Sequence, residues 1–189
     1  MPRAGLSPAA VTQAAVELID AGGLQELTLA KVAAHTGVAA PSLYKHVRGL
    51  AELRAQVAVR VVGELTQRLT AAVLGRGGDD ALRAAMLAYR QYVVEHPHRY
   101  AAIPQAPPSD PELAAAAGRL LDVLFAVLRG YGLEGAAAVH AARCFRAAAH
   151  GFASLQAAGG FQRPEDLDAT YEHLIGMLTA GIARLRETG

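Results

Sequence analysis

The sequence predicts an all-α protein of about nine helices, and three observations carry that expectation. Apolar residues recur at i, i+3, i+4 and i+7 through most of the chain, which is the spacing of one face of an α-helix. Paired glycines and most prolines fall between these stretches and punctuate them. No stretch alternates apolar with polar residues as a half-buried strand would, and no internal repeat is present.

The first helix starts at Ser7-Pro8, where a hydroxyl can cap the opening turn and proline gives up an N–H that would go unpaired. Val11, Ala14, Ala15, Leu18 and Ile19 form its stripe, and Gly22-Gly23 ends it. Thr28 caps a second short helix bearing Leu29, Val32 and Ala33, which stops at Gly37. Ala40-Pro41 opens a third, running through Ser42 to Val47 and closed by Gly49. A longer helix runs from about Leu50 to Leu74 and breaks at Gly75 to Gly78; the next is capped by Asp79/Asp80 and reaches the kink at His96-Pro97-His98. Ile103 to Pro111 is proline-rich and reads as a loop. Asp110-Pro111 begins a helix to Gly130, and Glu134 to Ala158 and Pro164 to about Glu187 are the last two.

With 52% hydrophobic and 19% charged residues the chain has ample material for a core. Its longest apolar run, Leu120 to Leu128 interrupted by Asp122, is far below the ~20 residues needed to span a bilayer. A membrane protein is therefore not expected. Arg3 precedes an alanine-rich stretch, but Gln13, Glu17 and Asp20 interrupt any signal-peptide core. The single cysteine, Cys144, excludes an intramolecular disulfide and suits a reducing compartment, so a cytoplasmic location is expected. Net charge is only +1, yet from Lys31 to Arg60 there are five cations (Lys31, Lys45, Arg48, Arg54, Arg60) against one acid, Glu52.

Thr28 to Val47 has the pattern of a helix-turn-helix. Ala33 is small where two helices must touch, Gly37 permits a sharp turn, and Val38, Leu43 and Val47 make the buried side of the second helix. Ala40, Pro41, Ser42, Tyr44, Lys45 and His46 are left pointing outward. Such a helix can enter a major groove, its first residues against base edges and its flanks against phosphates. Spacing alone equally admits an αα-hairpin that merely packs, with Tyr44 and His46 as surface residues.

The first 60 residues resemble the TetR family of bacterial transcriptional regulators. The likeness lies in Leu18-Ile19-Asp-Ala-Gly-Gly, Leu27-Thr28, Val32-Ala33, Gly37-Val38 and above all Leu43-Tyr44-Lys45-His46-Val47. It implies a DNA-binding domain over residues 1–49, a helical effector-binding and dimerisation domain over 50–189, and a homodimer on a palindromic operator. By the same resemblance Thr28, Tyr44, Lys45 and His46 look like phosphate contacts, while Ala40, Pro41 and Ser42 occupy base-facing positions. The family's frequent lysine at the start of the fourth helix is replaced by Leu50, with Arg48 as its substitute, and Ala30 stands where some members reach a base.

The rest of the chain resembles the TetR members named for a Trp-His-Gly signature, through Glu95-His96-Pro97-His98-Arg99-Tyr100 and Phe145-Arg-Ala-Ala-Ala-His150-Gly151-Phe152. Gly151 in mid-helix costs ~1 kcal/mol relative to alanine, so a close approach to the backbone is expected there. Leu167, Tyr171, Leu174, Ile175, Leu178, Ile182 and Leu185 lie at helical spacing on the last helix. With Ala148 and Gly151, the positions Tyr171, Leu174, Leu178 and Ile182 are expected to build a four-helix dimer contact; the alternative is that these stripes are intrachain core.

Helices between Leu50 and Ala157 are expected to enclose a cavity for a small, largely apolar effector that releases the protein from DNA. Its polar anchors would be Tyr89, Tyr92, His96, Tyr100, Arg143, Arg146 and His150. For each, the alternative is a core tyrosine with a paired hydroxyl or a surface arginine. No cofactor is expected, and no metal, since His96-x-His98 lacks the i, i+4 spacing of a helical zinc pair. The chain contains no GxSxG, P-loop or HExxH, and its carboxylates sit mostly at helix starts, so catalysis is not expected. Cys144 reads as a buried structural thiol. The competing non-enzymatic reading is an all-α ligand-binding protein that no longer binds DNA.

Overall fold

The computed structural model describes residues 6–188, with side chains to residue 185; Arg3 lies outside this range. Among these residues there are nine α-helices and no strand: α1 (Pro8–Gly22), α2 (Leu29–Thr36), α3 (Ala40–Leu43), α4 (Leu50–Val73), α5 (Gly78–Glu95), α6 (Pro97–Tyr100), α7 (Pro111–Arg129), α8 (Gly135–Ala157) and α9 (Leu167–Thr188). A single 3-10 turn, Leu24–Glu26, joins α1 to α2. No helix is long and apolar enough to cross a membrane among the described residues.

The signals at the helix ends act as the side chains suggest. Ser7 accepts the Ala10 N–H at 3.2 Å, Thr28 accepts that of Lys31 at 3.2 Å, and Asp110 that of Leu113 at 2.9 Å. Gly37 is left-handed at φ +69, and the N–H groups of Gly37 and Val38 return to the carbonyls of Ala34 and Ala33.

Three details differ from the sequence expectation. The third helix is four residues long, because beyond Leu43 the chain winds more tightly: Lys45 and His46 bond back to Ser42 and Leu43 three residues earlier. Asp79 and Asp80 lie inside the first turn of α5 and bind Tyr131 and Arg76. The last helix starts at Leu167 because Asp166, not Pro164, supplies the cap, accepting the Asp168 N–H at 2.8 Å.

Two compact units result, residues 1–63 with 96–117 and residues 64–95 with 118–189. In the first, Val11, Ala15 and Ile19 of α1 are sealed together with Leu27, Val32, Leu43, Val47, Leu53 and Val57. Asp20, near the end of α1, receives the Arg99 guanidinium on its carboxylate and His98 Nδ1 on its carbonyl at 3.2 Å, tying α6 to α1. In the second, α5 packs chiefly on α8, and α9 on both. Its core includes Leu82, Met86, Phe145, Phe152, Tyr171 and Ile175. Arg90 is buried among them, 5.3 Å from the Phe152 ring centre and 4.9 Å from that of Tyr171. Its Nε donates to Gln156 at 2.7 Å and its Nη1 pairs with Asp168 at 2.8 Å.

Candidate nucleic-acid interface

The short α3 cannot hold itself as a helix, so its pose is set by its anchors. Leu43 is fully buried and Val47 nearly so, while Ala40, Pro41, Tyr44, Lys45 and Arg48 are exposed and Ser42 and His46 half-buried. Tyr44 presents 60% of its surface to solvent. So exposed, its ring adds little to the core, and its hydroxyl is open to solvent. The turn therefore shows one face of small and hydrogen-bonding groups with a cation, fixed from behind by two aliphatic side chains.

Thr28 stands half-buried at the start of α2, its hydroxyl oxygen already accepting a backbone N–H, so its O–H remains to donate. Lys31 pairs with Glu26. Arg48 reaches Glu52 through Nε at 3.3 Å, and its own backbone N–H donates to the same carboxylate. These bonds, the backbone one foremost, hold the Glu52 carboxyl below its ordinary range. On the outer side of α1 and α2, His35 Nε2 lies 2.7 Å from Glu17, whose carboxyl is lowered first by Gln13 and then by His35.

The effector candidates do not fall within one compact unit. Tyr89 and Tyr92 on α5 face the core of the second unit: Tyr89 meets Phe145 edge-on, and Tyr92 donates its hydroxyl to Glu64 at 3.0 Å. His150 on α8 is half-buried, approached by the Ser154 hydroxyl at 3.4 Å, and burial with help from Arg146 lowers its pKa. Arg143 and Arg146 are exposed. His96, which precedes α6, and Tyr100, buried at its end, belong to the first unit. A groove of about 400 Å³ that sequence reading missed opens elsewhere in the second unit, lined by Phe125, Arg129, Leu133, Glu134, Ala138 and Val139.

The stripe on α9 divides. Tyr171 and Ile182 point into the chain's own core, where the Tyr171 hydroxyl donates to the Met86 carbonyl at 2.9 Å. Those two positions are thus corrected from surface to core. Leu174 and Leu178 are half-buried beside the exposed Met177 and Gly181, and on α8 the half-buried Ala148 and Gly151 precede the exposed Leu155. No atom lies within 4 Å of where a Gly151 Cβ would stand, so nothing in the chain itself makes the expected close approach. Cys144 is exposed, contrary to expectation, because Ala141, Ala142 and Phe145 take the inward positions of α8. Among the described residues no group of three potential ligands could hold a metal ion.

Comparison with known proteins resolves the helix-turn-helix. Residues 11–57 match the family described as bacterial regulatory proteins, tetR family, and residues 82–178 match the tetracyclin repressor-like C-terminal domain. The chain belongs to the TetR family of transcriptional regulators. The uncharacterized HTH-type transcriptional regulator Rv0681 of Mycobacterium tuberculosis is 37% identical over 96% of this chain and 84% of its own length. The corresponding YobS of Bacillus subtilis is 32% identical over 96% and 95%. A solved TetR variant from Acinetobacter baumannii in complex with minocycline shares the fold, with a TM-score of 0.73 at 23% identity, covering 96% of this chain and 99% of that one. This TetR-family protein is accordingly a DNA-binding regulator and not an enzyme.

Proposed function

We propose that this regulator is a repressor that binds palindromic operator DNA as a homodimer and is released by a small, largely apolar effector. In this reading residues 1–49 bind DNA and 50–189 bind effector and partner, the latter as in the TetR members with the Trp-His-Gly signature. The observation that carries it is the exposed Tyr44-Lys45 pair beside Ala40 and Pro41, pinned by the buried Leu43 and Val47. Tyr44, Lys45, His46, Thr28 and Arg48 contact phosphates, and Ala40, Pro41 and Ser42 face base edges.

Two such turns must sit about 34 Å apart to read successive major grooves, which requires a two-fold partner. Ala148, Gly151, Leu174 and Leu178, extended by Leu155 and Met177, supply the surface for it. Within the second unit, Tyr89, Tyr92, Arg146 and His150 are the polar side chains this reading assigns to the effector. An effector preferring one tilt of α4 shifts that spacing; a coupling of about 1–3 kcal/mol changes operator affinity roughly 5- to 150-fold.

The test is binding to duplexes selected from random sequence by the protein. Affinity falls steeply with salt, Lys45→Ala weakens every sequence and reduces the salt slope by about 1, and Ser42→Ala changes which sequence is preferred. A salt-independent affinity, or a Lys45→Ala variant that binds as well as the parent, overturns the reading. Leu178→Glu yields a monomer by sedimentation that no longer holds the selected duplex.

A further inference from the structure

We infer that Glu26 and Glu52 act as an electrostatic brake on DNA binding, each holding one cation, Lys31 or Arg48, that a duplex gains only by exchanging a carboxylate for a phosphate. The inference rests on the nucleic-acid reading above. Arg48 leaves the reading turn two residues after His46, and its guanidinium lies against Glu52 while 92% exposed. Lys31 lies in the first turn of α2, its backbone N–H on the Thr28 hydroxyl, and its Nζ is held by Glu26. Lys45 and Arg54 carry no carboxylate partner among the described residues.

Exposed ion pairs of this kind are weak and screened by salt, so they can be exchanged. They still cost affinity, because the displaced carboxylate is left beside a phosphate of like charge. Glu52 lies in addition near Asp110, whose charge adds to the negative potential there. A head of five local cations thus offers a passing duplex fewer than its composition suggests, in keeping with a net charge of only +1 for the chain. Glu52 has a second duty, as acceptor for the Arg48 N–H at the start of α4. Glutamine keeps an acceptor there and removes the charge.

The experiment measures the 189-residue protein on random-sequence duplex DNA over a salt series, with variants compared to the parent at matched salt. Glu26→Gln and Glu52→Gln should each bind roughly two- to fivefold tighter, the range expected from releasing a surface pair. In a Lys31→Ala background the gain from Glu26→Gln should vanish, because the cation it frees is gone. Unchanged affinity in Glu26→Gln, or a gain that survives Lys31→Ala, overturns the brake. Glu26→Gln decides alone if Glu52→Gln melts early, since Glu26 supports no helix start. A parent protein with no salt-dependent binding overturns the nucleic-acid reading and the brake together; a parent that binds normally while the variants show no gain overturns the brake only.

Discussion

The reading head and the α5–α8–α9 unit are held by different kinds of interaction. In the head, short helices are fixed by single local devices: the Thr28 hydroxyl, the left-handed Gly37, and Leu43 with Val47 behind a four-residue helix. In the other unit, long helices are fixed by packing at a distance in sequence, with Arg90 joining residues 66 and 78 positions away through Gln156 and Asp168. A change of one cap or one turn residue should therefore be felt sharply in the head, whereas the helical unit should yield only where its interior is opened.

The largest effect should come from Leu43→Ala, which removes the buried anchor of α3 and should destabilise the protein by about 2–5 kcal/mol in denaturant unfolding, with loss of DNA binding. Equal binding at equal folded fraction would show that α3 is held by something other than Leu43. Thr28→Ala and Gly37→Ala test the local devices and should each cost about 1 kcal/mol. At Gly37 the cost comes wholly from the φ of +69, since an added Cβ meets no atom within 4 Å.

Tyr171→Phe tests the helical unit and should cost about 1 kcal/mol through the lost bond to the Met86 carbonyl. Burial raises the Tyr171 pKa, so the folded chain keeps this proton longer than the unfolded chain. Its contribution is present below the unfolded value of about 10 and declines as pH rises beyond it. The phenylalanine variant should show a shallower alkaline loss of stability. The smallest effect concerns His150, whose pKa is lowered by burial. The neutral form is favoured on folding, so stability is full above the unfolded value of about 6.5 and falls slightly as pH drops below it. His150→Gln should remove that slight acid dependence in thermal melts.

The helix-turn-helix was legible because each of its signals acts within a few residues. Ser7 and Thr28 each satisfy an N–H three positions on, and Gly37 adopts the one backbone conformation that other residues avoid. Apart from the helix bounds noted above, the expectations that failed concern mainly which side of a helix faces inward. On α9, Tyr171, Ile175 and Ile182 form one apolar stripe at helical spacing, and Leu174, Met177 and Leu178 form an adjacent one. Nothing in the period itself distinguishes them. On α8, an alanine-rich helix without a single acid, Cys144 could as well have faced the core.

The amino-acid order by itself determined the all-helical class and the helix starts at Ser7, Thr28 and Asp110, since each depends on bonds between near neighbours. Tertiary packing alone decided that Arg90 is buried between two rings, that Tyr171 looks inward, and that Leu155 and Met177 are left on the surface. The inward face of a helix that is apolar on several sides is chosen by what packs against it, and those partners lie dozens of residues away.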